Sequence, residues 1–131
     1  MGERDITLHM SEGRFNYRVG AIILDAGQIL MVRNSGSPFY YTVGGRVKFG
    51  ESAREAVLRE VCEETQMRLV IDRLAYIHEN FFAPEGENAF YHEVCLFFSY
   101  EAQFPAARDR SRLFQGGIRG SDTPLASHWR T

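Results

Sequence analysis

The sequence predicts an α+β domain in which one helix packs on a β-sheet. Three observations predict it. Phe15 to Leu24 and Gln28 to Arg33 are runs rich in aromatic and β-branched residues, divided by Asp25-Ala26-Gly27, which is a hairpin signal. Ser52 then opens a stretch of helical periodicity. After it, Arg68 to Phe82 and Phe90 to Tyr100 return to strand-like patterns, so hairpin and helix signals are mixed rather than set in a regular βαβ series.

The elements follow in order. Asn34 to Pro38 is a turn cluster, and Phe39 to Val43 is a short extended piece with three adjacent aromatics ahead of Gly44-Gly45. The helix starts at Ser52, because Ser52 with Glu55 three residues on is a capping box in which side chains satisfy the first free N–H groups. It runs to about Gln66. Arg68 to Phe82 reads as two strands or one bent strand, Ala83 to Asn88 as a loop, and Phe90 to Tyr100 as a long strand. Glu101 onward gives no clear pattern; Arg108, Arg110, Arg112 and Arg119 around Gly116-Gly117 read as a loop.

The chain of 131 residues is the size of one domain, and no linker, repeat or low-complexity segment divides it. Its apolar content of 44% suffices for a core. A formal charge of −2 argues against bulk attraction to nucleic acid, so any nucleotide must be held locally and RNA is not the expected partner. Cys62 and Cys95 form neither a disulfide framework nor a C-x-x-C pair. Met1 to Met10 does not read as a signal peptide, and no apolar run is long enough to span a bilayer. A reducing cytoplasm is the setting these features predict.

The helix carries the chemistry. Glu60, Glu63 and Glu64 are related as i, i+3 and i+4 and fall on one side of a helical wheel. Like charges so placed repel by roughly 0.2 to 0.5 kcal/mol per pair, so a helix selected for stability alone would avoid them unless a cation offsets them. Ala53, Ala56 and Val57 share that side, while Leu58, Val61 and Cys62 lie opposite, which predicts a helix covered on both sides. Clustered hard oxygens suit magnesium or manganese, which bind through a few carboxylates together with substrate phosphates. An isolated E-x-x-E-E is more often a solvated face, so the surroundings decide.

Those surroundings are specific. Gly45, five residues, Glu51, seven residues, then Arg59-Glu60-Val61-Cys62-Glu63-Glu64-Thr65-Gln66-Met67 closely resembles the signature of the Nudix (MutT-like) hydrolase family, G-x5-E-x7-R-E-U-x-E-E-x-G-U with U apolar. Only the second glycine differs, where Gln66 stands, and Val43 occupies a position where proline is common. The resemblance implies the Nudix fold, an α/β/α sandwich around a mixed β-sheet, over a single domain that here lacks room for the usual final helix. It implies a divalent-metal-dependent hydrolase cleaving a phosphoanhydride bond in a nucleoside diphosphate linked to another moiety, and it admits a homodimer. It further implies that Glu60, Glu63 and Glu64 bind metal with the Gly44 carbonyl, and that Glu51 and Arg59 steady the loop and helix. Gln66 stands where a left-handed turn is expected, at a cost of ~1 kcal/mol.

Outside the motif, Phe39, Tyr40, Tyr41, Phe81 and Phe82 are candidates for stacking on a base, Tyr40 first by its place beside the motif and Tyr41 with it, though any single ring is more often a core or sheet residue. Arg46, Arg33 and Lys48 could meet phosphates or lie at the surface. Glu93 is the candidate general base, being a carboxylate inside an apolar strand on the face shared by Cys95 and Phe97. Glu85 and Glu87 read as solvated loop charges, Glu101 is a further candidate, and His92 points opposite Glu93. The competing functional reading is a nucleotide-binding sensor on the same fold. Retention of Glu51, Arg59, Glu60, Glu63 and Glu64 favours the enzyme.

Overall fold

The computed structural model describes residues 4–36, 38–67, 69–101 and 125–130, with the backbone alone for residue 101 and for 125–130. The elements are β1 (Thr7–Met10), β2 (Gly13–Asp25), β3 (Gln28–Asn34), β4 (Tyr41–Arg46), α1 (Ala53–Thr65), β5 (Ile71–Phe82), β6 (Tyr91–Glu101) and β7 (Leu125–Arg130). The strands form one sheet in the order β5-β6-β2-β4-β3-β7, with β1 paired to the start of β2. The long pairing of β2 with β6 is parallel and the others are antiparallel, so the sheet is mixed. Among the described residues α1 is the one helix, which shows the sheet and one helical layer of the expected sandwich.

Local chemistry explains the joints. Ala26 and Gly27 both have positive φ (49° and 75°), as a two-residue hairpin turn between β2 and β3 requires. Ser52 caps α1 by accepting from the Glu55 N–H at 3.1 Å. At the other end Gln66 takes the left-handed conformation (φ 58°), its N–H donating to the Cys62 carbonyl. The chain therefore makes the turn that the family's glycine would make, with a side chain in place. Of the two readings for this stretch, β5 is a single strand, with register shifts against β6 between Ile71 and Arg73 and between Leu74 and Tyr76.

Alternation along β2 divides the sheet into two faces. Val19, Ala21 and Ile23 are buried in the core with Leu30 and Val32 of β3, Val43 of β4, and Ala56, Val57 and Val61 of α1. Asn16 and Arg18, of opposite parity, line a cleft instead. Leu58 and Cys62 are exposed, which corrects the expectation of a helix covered on both sides. Residues four apart sit on one stripe, and theirs faces away from the sheet while Val61 turns inward.

Strands β1 and β7 are additions to the elements read from the sequence. Strand β1 turns into β2 through Ser11 and Glu12, with Met10 paired to Gly13. A Cβ on Gly13 would collide with the carbonyl of Phe90, the residue just before β6, so this close approach requires glycine. Strand β7 pairs with β3 along its whole length. Arg108, Arg110, Arg112 and Arg119, expected in a loop, lie outside the described residues.

Candidate active site

Arg59 ties the helix to the loop before it. Its Nε and Nη2 donate to the two oxygens of Glu51 at 2.7 and 2.8 Å, a bidentate pair, and Nη2 also reaches the Arg46 carbonyl at 3.1 Å. Glu51 in turn accepts the Lys48 N–H at 3.0 Å. These hydrogen bonds hold the Glu51 carboxyl below its ordinary range, Arg59 foremost, and raise Arg59 reciprocally.

The remaining Arg59 nitrogen, Nη1, donates to Glu60 at 2.9 Å and to Glu63 at 3.4 Å. Glu60 is buried and Glu63 is exposed, so the arginine draws an inner and an outer carboxylate together. A Cβ on Gly45 would strike the Glu60 carboxylate, which explains the glycine there: the acid occupies the space a side chain would need. A Cβ on Gly44 would strike the Val19 carbonyl of β2.

Glu64 lies beside the same backbone. Strand β3 pairs with β4 only as far as Thr42, and the Gly44 N–H donates to Glu64 Oε2 at 3.3 Å. Burial pushes this carboxyl up to about 8, against the opposing pull of the Gly44 N–H and of Arg18. Among the described residues no three carboxylate, imidazole or thiol side chains converge into a ready-made metal cluster. What α1 presents is two buried acids and one at the rim, on the face the wheel indicated.

Gly44 also lines a cleft of about 730 Å³ on the other face of the sheet. Tyr40, Tyr41, Arg46 and Glu93 line the same cleft, so the structure brings together the residues singled out for substrate and for the base. Arg33 lies over the Tyr40 ring at 5.2 Å. Arg46 pairs with Asp5 at 3.7 Å, while its Nε is buried without a hydrogen-bond partner among the described residues. Glu93 is buried; its Oε2 accepts from Asn16 at 2.6 Å and lies 4.0 Å from Arg18. His92 turns to the opposite face, against Phe15 and Phe81.

Sequence reasoning missed several cleft residues. Asn16, almost fully buried, bridges Thr7 and Glu93. An amide inside a β-branched and aromatic run was the available signal. Tyr91 was also missed; it stacks on Phe82, one of the rings the sequence offered, with centroids 5.0 Å apart. Glu87 is exposed in its loop, as expected, and it also accepts from the Tyr91 hydroxyl at 2.7 Å and lines the cleft. Cys95 also lines it, but burial pushes its thiol up to about 11, so it is a poor nucleophile.

A mixed sheet backed by an acidic helix, with a loop clamped by an arginine, defines a MutT-like α+β domain. The NUDIX domain family model matches residues 14–116. The chain belongs to that family. It resembles the solved MutT NUDIX hydrolase from Burkholderia pseudomallei at 26% identity, covering 88% of this chain and 82% of that one with a TM-score of 0.63. A MutT protein from Bacillus halodurans is 20% identical, covering 88% and 68%, with a TM-score of 0.65, a likeness of fold. A Bacillus subtilis (strain 168) protein named as a candidate 8-oxo-dGTP diphosphatase is 44% identical over 52 residues, or 37% of this chain. That matched stretch spans 35% of the relative's length.

Proposed function

We propose that this chain is a divalent-cation-dependent pyrophosphohydrolase that cleaves a phosphoanhydride bond in a nucleoside diphosphate linked to another moiety. The observation that carries the reading is the Glu64 carboxyl, buried on α1 with its Oε2 accepting from the N–H of Gly44, a residue that also lines the cleft. A buried carboxylate is costly unless a cation offsets it, and a helix face of hard oxygen donors fits magnesium or manganese. Glu60, Glu63, Glu64 and the Gly44 carbonyl would hold the ion. When bound, it supplies charge neutralisation for the phosphates and lowers the pKa of the attacking water.

The chain's own residues supply position. Arg59 and Glu51 fix the loop from Arg46 to Glu51 against α1, so the acids meet the substrate in one orientation. Arg46 contacts phosphate, its buried and unpartnered Nε being the supporting observation. Tyr40 and Tyr41 bound the nucleoside. Glu64 receives the water's proton rather than Glu93, and a pH–rate profile of each Gln variant tests that assignment. The setting we infer is a reducing cytoplasm, where Cys62 and Cys95 remain thiols; no helix among the described residues is long and apolar enough to cross a membrane.

The test is turnover of a panel with and without magnesium: nucleoside triphosphates including 8-oxo-dGTP, ADP-ribose, dinucleoside polyphosphates, nucleotide sugars and 5′-triphosphorylated RNA. The Bacillus subtilis relative's name puts 8-oxo-dGTP first. Magnesium-dependent release of a nucleotide product from a small substrate is expected. Tight nucleotide binding with no turnover of any compound would replace the enzyme by a sensor.

A further inference from the structure

Glu93 is a carboxylate built into the sheet, yet it stands far from the acidic helix. On β2 its partner is Asn16, whereas the partner of Gly44 is Gly20, four residues further along. Four residues of strand span about 13 Å, and two strand spacings separate β6 from β4, so Glu93 and Gly44 lie roughly 16 Å apart at the backbone. A general base must come within hydrogen-bond reach of its proton, directly or through one water. Such a separation suits the two ends of one extended nucleotide better than two groups acting on one water.

The surroundings of Glu93 match a base. Asn16 Nδ2 donates to Oε2 at 2.6 Å, Arg18 places its guanidinium 4.0 Å away, and Asn16 is itself anchored by the Thr7 hydroxyl. Both neighbours are donors, so the carboxylate faces the cleft as an acceptor. The flat walls beside it are the stacked Phe82 and Tyr91 rings and Phe97. Rings accept the face of any base, so selection among bases must come from a polar group at the edge. Two carboxylate oxygens match a base edge with two adjacent N–H donors, which among the common bases is the N1–H and 2-amino edge of guanine.

We propose that Glu93 is a specificity residue that reads the N1–H and 2-amino edge of a guanine-type base, with Asn16 as the positioning residue that holds its carboxylate toward the cleft. The proposal rests on the nucleotide-hydrolase reading of the same cleft. The deciding comparison is GTP against ITP, which differ only in the 2-amino group. The wild type is expected to favour GTP in kcat/KM on the order of tenfold to a hundredfold, the worth of one hydrogen bond to a charged group. In Glu93→Gln the ratio falls toward one, chiefly through a higher KM for GTP. Asn16→Ala moves it in the same direction, with thermal melting confirming that each variant is folded.

Metal-free calorimetric binding of GMP and IMP repeats the comparison without chemistry. A GMP preference lost in Glu93→Gln supports the proposal even if nothing is hydrolysed, which separates it from failure of the enzyme reading. Equal use of GTP and ITP by the wild type, or equal binding or no binding of GMP and IMP, overturns it. So does a loss of kcat in Glu93→Gln that is the same for both substrates with KM unchanged, since that marks a proton-transfer residue.

Discussion

Glu64→Gln should make the metal-free protein more stable while abolishing its activity. The Glu64 carboxyl is 5% exposed, and burial raises it from 4.5 to about 8. Between those values the folded chain keeps a proton that the unfolded chain releases. The stability tied to this group is therefore fully present below pH ~4.5 and is lost as pH rises toward ~8. At pH 7 the shift corresponds to at most ~3 kcal/mol at 1.36 kcal/mol per unit, and ~2 kcal/mol is a working figure. Glutamine keeps an acceptor for the Gly44 N–H and carries no charge, so it removes this penalty. Differential scanning calorimetry in chelator at pH 7 should show the variant melting ~6 °C higher, at roughly 3 °C per kcal/mol for a domain of this size. The difference should shrink toward pH 5. Magnesium should raise the melting temperature of the wild type and not of the variant, and turnover should fall by orders of magnitude. A variant that melts lower than the wild type at pH 7 in chelator would refute the account of a buried, charge-averse acid. Unchanged magnesium-dependent turnover would refute the role given to α1.

Arg59→Lys should keep the charge but lose the bidentate grip on Glu51 and the bond to the Arg46 carbonyl, costing ~2 kcal/mol in urea unfolding and lowering kcat more than KM is raised. Gly45→Ala should push the Glu60 carboxylate out of its place and cost ~1–3 kcal/mol, with magnesium affinity by calorimetry reduced in the folded fraction. Gln66→Gly should stabilise by ~1 kcal/mol in the same urea assay with turnover unchanged, because it relieves a left-handed residue that contacts nothing in the cleft.

Much of this architecture could be read from local signals. The helix carried its own punctuation in Ser52 and Glu55, and the β2–β3 hairpin announced itself through Asp25-Ala26-Gly27. The motif spacing placed Glu51 against Arg59 because loop and helix are adjacent in sequence. What escaped was set by distant partners. Strand β1 turns at Ser11-Glu12, which lacks the usual Asn-Gly chemistry, and β7 is specified by pairing with β3 some ninety residues earlier. Leu58 and Cys62 looked buried on a wheel because apolar type was taken for burial, whereas the sheet covers a single stripe of α1. Asn16 and Arg18 were invisible as site residues because their partner, Glu93, is on β6.

The central strand β2 has a consequence for what kinds of change this domain can tolerate. It meets Glu93 at Asn16 and Gly44 at Gly20, so one unbroken strand serves as the ruler between the base end and the phosphate end of the proposed site. A two-residue slip of β6 against it would keep every side chain on its own face yet move the reader by about 7 Å, the scale of added or lost phosphates. Divergence in the cleft walls can thus change which base is preferred. The length of molecule accepted is written in the register of the sheet, and it should be far slower to drift.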